Sequence, residues 1–255
     1  MILATLPLER CLRFQGCFNF RDVGGYPAAD GRRVRWRALF RSDALDNLSP
    51  LDRTRISALD LATAIDLRTP SEVAERSSLS QDSSVADAGL TLPLNGMLPP
   101  REPLAGLMEA AFVASRYHDM LRQGRETICE VLAILTDPSL YPVIIFCGDG
   151  RDRVGIVTAI ILGLLDVPDE IVVTEYMLSR EAMIRRWDRL TQQYPGGMSE
   201  DAQRYGTSAT AVMPEAIAGF IAVLRAEYGS FEGYAEAIDM AGAIPHLRRA
   251  LLTAQ

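Results

Sequence analysis

The chain has 255 residues, 48% of them hydrophobic, with 4 cysteines, 2 histidines and a formal net charge of −7. An acidic balance with a pI near 5.0 argues against a nucleic-acid binder, which carries a basic face. With no C-x2-C pair and its two histidines, His118 and His246, far apart, the chain offers neither a metal-ligand cluster nor a clear disulfide frame.

In chain order, Met1 to Leu8 is apolar but short, lacks a basic flank and ends at Glu9-Arg10, so it does not read as a signal peptide. Phe18 to Gly25 is polar where a strand would be apolar, and its two glycines mark a turn. Ala29-Asp30-Gly31 is a hairpin-type turn, and residues 33–40 alternate as a strand should. Asn47-Leu48-Ser49-Pro50 supplies a helix N-cap with proline in the first turn, leading into residues 51–59. Residues 62–67 read as a buried strand, and Thr69-Pro70 opens a short helix carrying Glu72 and Glu75. The Ser/Asp-rich stretch 77–88 predicts a surface loop, 90–94 a third strand, 95–103 a mobile Pro/Gly-rich segment, and 104–135 helix with a break near Gln123-Gly124.

Val143 to Phe146 is β-branched and aromatic behind Pro142, which predicts a buried strand. The apolar run from Val154 to Leu162 is too long for a second strand and reads as a buried helix. It is interrupted by Asp166 and too short for a membrane span. Val167-Pro168-Asp169 makes a turn, 170–190 is helical with a charged face, and 194–210 is polar and Gly/Ser-rich. Residues 214–228 and 231–252 complete the chain as helices about the Gly229-Ser230 turn. No repeat or domain boundary is visible, so the chain reads as one domain of residues 1–255, with 95–125 and 190–213 as candidate lid or insertion segments. Alternating strands and helices predict an α/β fold of three layers, a central, mostly parallel sheet flanked by helices.

The most informative stretch lies between the predicted strand and helix: Cys147-Gly148-Asp149-Gly150-Arg151-Asp152-Arg153. Such a loop, at a helix N-terminus, gathers orphan N–H groups and the positive end of the helix dipole. Gly148 and Gly150 let the backbone curl into an anion nest, and Arg153 adds a planar fork for two phosphate oxygens. The same field predicts a lowered pKa for Cys147, making it a thiolate able to attack phosphorus. Asp152 is the nearest candidate general acid for the leaving oxygen. A phosphocysteine would form and water would hydrolyse it, with amides and Arg153 supplying the charge stabilisation and no cofactor called for.

Spacing alone is weak, because a C-x5-R match arises by chance in about one such composition in three. Context strengthens it: Cys11, Cys17 and Cys129 have no arginine six residues later, and only Cys147 stands between a strand pattern and a helix pattern. A reactive thiol in a chain without an export signal sets the expectation of a cytoplasmic protein.

The chain resembles the atypical bacterial tyrosine-phosphatase family of cysteine-dependent phosphatases. The likeness rests on Asn19-Phe20-Arg21-Asp22-Val23-Gly24-Gly25, which is similar to the family's Asn-x-Arg-Asp-x-Gly-Gly signature, on Arg41-Ser42, on Asp66-Leu67-Arg68, and on the cysteine loop. Asp166-Val167-Pro168 and Tyr176-Met177-Leu178 extend it. The resemblance implies a phosphatase-like fold, Cys147 as nucleophile, Arg153 as phosphate clamp and Asp152 as acid. It implies that Arg151 takes the place of a lysine that contacts phosphate-rich substrates. The substrate-binding set then comprises Gly148, Asp149, Gly150, Arg151 and Val154 with Arg21, Asp22, Arg41, Asp66 and Arg68.

Three residues depart from the pattern. Phe146 replaces a histidine and Val154 a hydroxyl residue, changes that raise the cysteine pKa and slow turnover. Asp149 places a carboxylate inside an anion-binding loop, where it opposes the thiolate if it points inward, or pairs with Arg151 or a cationic group of the substrate. Asp22 and Arg68 read equally well as a mutually paired buried ion pair or as site residues. Arg21 and Arg41 read as loop-orienting residues, Tyr26 and Trp36 as core, and His118 as helix surface.

Phosphomonoester hydrolysis on a phosphoprotein, phosphoinositide or small phosphorylated metabolite is the leading functional reading. A non-catalytic phosphate-binding module of the same fold is the alternative, and persulfide transfer on Cys147 a weaker third, since it gives Arg153 no reason to be there.

Overall fold

The computed structural model describes residues 10–74, 86–87, 110–194, 197–200, 203, 206 and 210–254. Among the described residues five strands form one sheet in the order β1-β2-β5-β3-β4: β1 (Arg21–Asp22), β2 (Leu39–Ser42), β3 (Thr63–Asp66), β4 (Ala86–Asp87) and β5 (Val143–Phe146). Of these, β1 runs antiparallel to its neighbour, while β2, β3 and β4 join the sheet in parallel around the central β5. The register puts Ser42, Phe146 and Asp66 in one row at the carboxyl ends of β2, β5 and β3. Parallel strands of this kind present their following loops on one edge, where α/β sheets hold ligands.

The β5 sequence Val-Ile-Ile-Phe is buried throughout, and its side chains alternate between two cores. Val143, Ile145 and Cys147 face the larger core, Ile144 and Phe146 the smaller. The larger core is closed by α3 (Ala110–Gln123), α4 (Arg125–Ile134), α5 (Asp152–Leu164), α6 (Asp169–Met177), α8 (Pro214–Tyr228), α9 (Phe231–Ala237) and α10 (Ile244–Leu251), with α7 (Ser179–Gln192) following α6 directly. The smaller is closed by α1 (Pro50–Ser57) and the segment bearing Cys17 and Phe20. These are the expected three layers. Helix α5 is buried on nearly every side from Arg153 to Leu164, which is why its sequence is apolar all round.

The α1 N-cap is Ser49, in a reciprocal capping box with Asp52, and Pro50 stands in the first turn. Asp52 also accepts the amides of Gln15 and Gly16, tying the N-terminal segment to α1. The short helix α2 (Pro70–Ala74) begins where Thr69 and Glu72 exchange backbone and side-chain bonds.

Two local expectations are corrected. The strand predicted for 33–40 begins only at Leu39: Arg37 lies in the left-handed region at φ 59° and gives its amide to Asp22 Oδ2 at 2.7 Å, so residues 36–38 turn. Only single bridges, Pro27 to Arg33 and Val34 to Leu252, precede it. Within the loop predicted for 77–88, Ala86–Asp87 adds a parallel edge strand. The strand expected at 90–94, the segment 95–103 and most of 194–210 lie outside the described residues. Among the described residues no helix is long and apolar enough to cross a membrane.

Candidate active site

Residues 147–151 connect β5 to α5, so the loop sits at the carboxyl end of the central strand and at a helix N-terminus. Its curl depends on Gly150, whose φ is 64° and where a Cβ would lie 2.4 Å from the Ser42 carbonyl oxygen. A glycine is required there both for the backbone sign and for the close approach to β2. The Gly150 amide points back at Cys147 Sγ at 3.3 Å.

The loop is gripped from outside by a buried polar frame. Asn19 Nδ2 donates to the carbonyls of Asp149 and Gly150 at 3.1 and 3.0 Å. Arg41 Nη2 donates to the Gly150 carbonyl at 2.6 Å, and the Ala44 amide to the Gly148 carbonyl at 3.2 Å. Arg21 orients Asn19 by donating to its Oδ1. Both arginines converge on Glu175 of α6, Arg21 Nε at 2.7 Å and Arg41 Nη1 at 2.6 Å. Burial pushes the Glu175 pKa up, but Arg21 and Arg41 more than offset it and hold the carboxyl below the usual range. Arg41, in β2 beside the central strand, has its own pKa depressed to about 10 by burial and by Arg21. Arg41 thus bonds the loop directly, and Arg21 meets it through Asn19.

Three arginines beside the loop each meet a carboxylate. Arg153 donates through Nη1 and Nη2 to the two oxygens of Glu72, both at 2.8 Å, and through Nη1 to the Leu67 carbonyl at 2.9 Å. These bonds use three of its five N–H groups. Burial opposes the ionised form of Glu72, yet Arg153 and the Thr69 cap bring its pKa down to about 2. Arg151 Nε and Nη2 grip Asp152 Oδ1 and Oδ2 at 2.9 and 3.0 Å. Asp149 pairs with Arg186 of α7.

The thiol does not follow the expectation drawn from the loop's field alone, but moves in the direction drawn from the three departures. Burial pushes the Cys147 pKa up; Arg153 and the amides of Gly150 and Val154 pull it down, Asp149 pushes it up again, and the net lies above the usual value. Cys147 is 2% exposed, and that desolvation outweighs the loop's field.

The departures each have a place. Phe146 lies on the face opposite Cys147, with the Arg68 guanidinium 5.4 Å from its ring centroid. Val154 is fully buried in the larger core. Asp22 and Arg68 do not pair with each other: Asp22 Oδ1 and Oδ2 accept the amides of Gly24 and Arg37, and Arg68 binds Asp66 and Asp46. Asp66 thereby fixes Arg68 at the end of β3, against the Phe146 ring. Tyr26 is core, but Trp36 is 43% exposed, with the Arg10 guanidinium 4.7 Å from its ring. His118 bonds Glu227 at 2.6 Å, away from the loop.

Sequence reasoning passed over Glu72, Tyr117, Glu175 and Arg186. Tyr117 of α3 donates its hydroxyl to Asp152 Oδ1, and Tyr176 of α6 stands 2.8 Å behind it. Glu72 carried a signal, the Thr-x-x-Glu capping pattern, which the structure uses both as a cap and as the arginine's partner. The other three are brought in by remote helices and have no local signature.

The sequence model of a tyrosine phosphatase family matches residues 12–253. A Cupriavidus necator protein named as a tyrosine-protein phosphatase is 26% identical over 174 residues, covering 67% of this chain and 63% of that protein. The triple specificity protein phosphatase PtpB of Mycobacterium tuberculosis is 24% identical over 257 residues, covering 86% of this chain and 90% of that one. Among solved structures, the core catalytic domain of the PP-IP phosphatase Siw14 from S. cerevisiae superposes with a TM-score of 0.36 at 16% identity, over 65% of this chain and 77% of that chain.

Proposed function

The chain belongs to the tyrosine phosphatase family, and on that premise we propose that it hydrolyses phosphomonoesters through a phosphocysteine on Cys147. The observation that carries the reading is the loop itself: Sγ of Cys147 accepts the Gly150 amide at the N-terminus of α5, and Arg153 is the largest influence favouring its ionised form.

In the first step the Cys147 proton moves to an oxygen of the entering phosphate, to be returned when the product leaves; the thiolate attacks phosphorus, the S–P bond forms and the P–O bond to the leaving group breaks. The leaving oxygen takes the proton of Asp152. In the second step water attacks phosphorus, the P–S bond breaks, and the Asp152 carboxylate takes the water's proton. Loop amides and Arg153 stabilise the charge on the equatorial oxygens in both steps. Glu72 holds the Arg153 guanidinium edge-on, so that its remaining N–H groups serve the phosphate. Because Cys147 is only 2% exposed, a phosphate reaches it by entering the loop. Such an entry favours a small or slender phosphate ester.

The test is phosphate release from an aryl phosphate with chelator present. The native protein is expected to turn over and Cys147→Ser to be inactive. Tight binding of the ester without turnover in the native protein would replace this reading with that of a phosphate-binding module.

A further inference from the structure

Asp152, the proposed acid, does not stand alone in its site. It is the first residue of α5, and a hydroxyl pair reaches it from two other helices. Resting on the phosphatase reading above, we infer that Tyr117, backed by Tyr176, is a positioning residue for the general acid, which blocks Oδ1 of Asp152 and reserves Oδ2 as the oxygen that carries and delivers the proton.

Proton counting fixes the direction of the chain. A phenol has one proton. Tyr117 spends it on Asp152 Oδ1, so the proton between the two tyrosine oxygens, 2.8 Å apart, is that of Tyr176. The order is therefore Tyr176 to Tyr117 to Asp152, each hydroxyl polarising the next. Burial pushes the Tyr117 hydroxyl well above its usual pKa and that of Tyr176 up to about 12, so both remain donors through the neutral range.

The two carboxylate oxygens are unequal. Oδ1 accepts both Tyr117 and Arg151 Nε, whereas Oδ2 accepts Arg151 Nη2. A proton on Oδ1 would have to displace one of two donors that are themselves held in place. A proton on Oδ2 displaces only the outer edge of one guanidinium. The rings supporting this arrangement are fixed: Tyr117 and Tyr176 are fully or nearly fully buried and pack edge to face, centroids 6.3 Å apart, and Phe220 packs edge to face on Tyr117 at 6.4 Å.

The experiment compares an aryl phosphate, whose leaving group needs little protonation, with an alkyl phosphate, whose leaving group needs it fully. Tyr117→Phe keeps the ring and removes only the hydroxyl. It is expected to slow the alkyl ester about 10- to 150-fold, the worth of one charge-assisted hydrogen bond, and the aryl ester less than about 2-fold. Tyr176→Phe is expected to give a weaker effect of the same kind, and Tyr117→Phe is expected to add nothing on top of Asp152→Asn. Equal slowing of both esters by Tyr117→Phe, as a general packing defect would cause, overturns the inference. If Asp152→Asn discriminates between the esters and Tyr117→Phe does not, the positioning role alone falls. If the native protein hydrolyses neither ester, the phosphatase reading falls and takes this with it. Should Tyr117→Phe not fold, 13C-labelled tyrosine in the native protein decides: the Tyr117 Cζ resonance is expected to move in Asp152→Asn, and its failure to move refutes the contact.

Discussion

Replacing Glu175 by glutamine separates the frame that holds the loop from the chemistry inside it. The carboxylate is 2% exposed and is ion-paired with two guanidinia that are each 1% exposed, at 2.7 and 2.6 Å. Glutamine keeps one acceptor oxygen but leaves Arg21 and Arg41 buried side by side without their counter-charge. Breaking a buried pair from one side costs about 3–5 kcal/mol. In a chain of this size each kcal/mol moves the melting temperature by about 2–4 °C, so the expected loss is about 6–20 °C. Thermal unfolding followed by circular dichroism measures it. Glu181→Gln is the control, because its pair with Arg13 is 64% and 68% exposed and such pairs contribute at most about 1 kcal/mol. The sign of the pH dependence follows from the depressed Glu175 pKa. Its contribution is complete above the ordinary glutamate range, about pH 4.3, and is lost as pH falls through the lower folded-state value. Native protein and variant should therefore converge in stability at acid pH. A melting temperature within 2 °C of the native value at pH 7, on the order expected for a surface pair, would refute the reasoning, and so would a difference that persists unchanged to the most acid pH at which the protein folds.

Asp149 raises the Cys147 pKa, so Asp149→Asn should move the acid limb of the kcat/KM pH profile to lower pH, and Arg186→Ala, which exposes that carboxylate's field, should move it higher; a limb unmoved by both would remove Asp149 from the account. Glu72→Ala releases the Arg153 fork and should lower kcat/KM on an aryl phosphate by about 10- to 100-fold through misplacement of the clamp. A rise in activity would instead mean that Glu72 competes with the phosphate. Gly150→Ala must place a non-glycine residue at φ 64° with its Cβ against the Ser42 carbonyl, which costs at least about 1–3 kcal/mol in backbone strain and is read as a fall in melting temperature. An unchanged melting temperature would show that the loop can take another path.

The strand–loop–helix unit was legible because three local signals agree: a β-branched run, two glycines and a long apolar helix, with an arginine at the right distance. The capping of α1 by Ser49 was legible for the same reason, since the cap and its partner are three residues apart. The strand at 33–40 was misread because alternation registers side-chain polarity and not the left-handed turn at Arg37, which is held by Asp22 from fifteen residues away. The ion partners escaped for a related reason. Arg21 and Glu175 are 154 positions apart, Arg68 turns to Asp46 and Asp66 and away from Asp22, and no local pattern encodes those choices. That burial dominates the thiol's pKa was also out of reach, although Asp149 and the departures at Phe146 and Val154 pointed upward, because the loop's charges are local in sequence while burial is a property of the packed molecule.

The most direct test is to quench the native protein with acid during turnover of a phosphomonoester and map the phosphoryl group by mass spectrometry. Phosphate on the sulfur of Cys147, absent from Cys147→Ser and formed in the presence of chelator, is the expected result. Steady release of phosphate with Cys147 never labelled, or undiminished release by Cys147→Ser, would contradict the account.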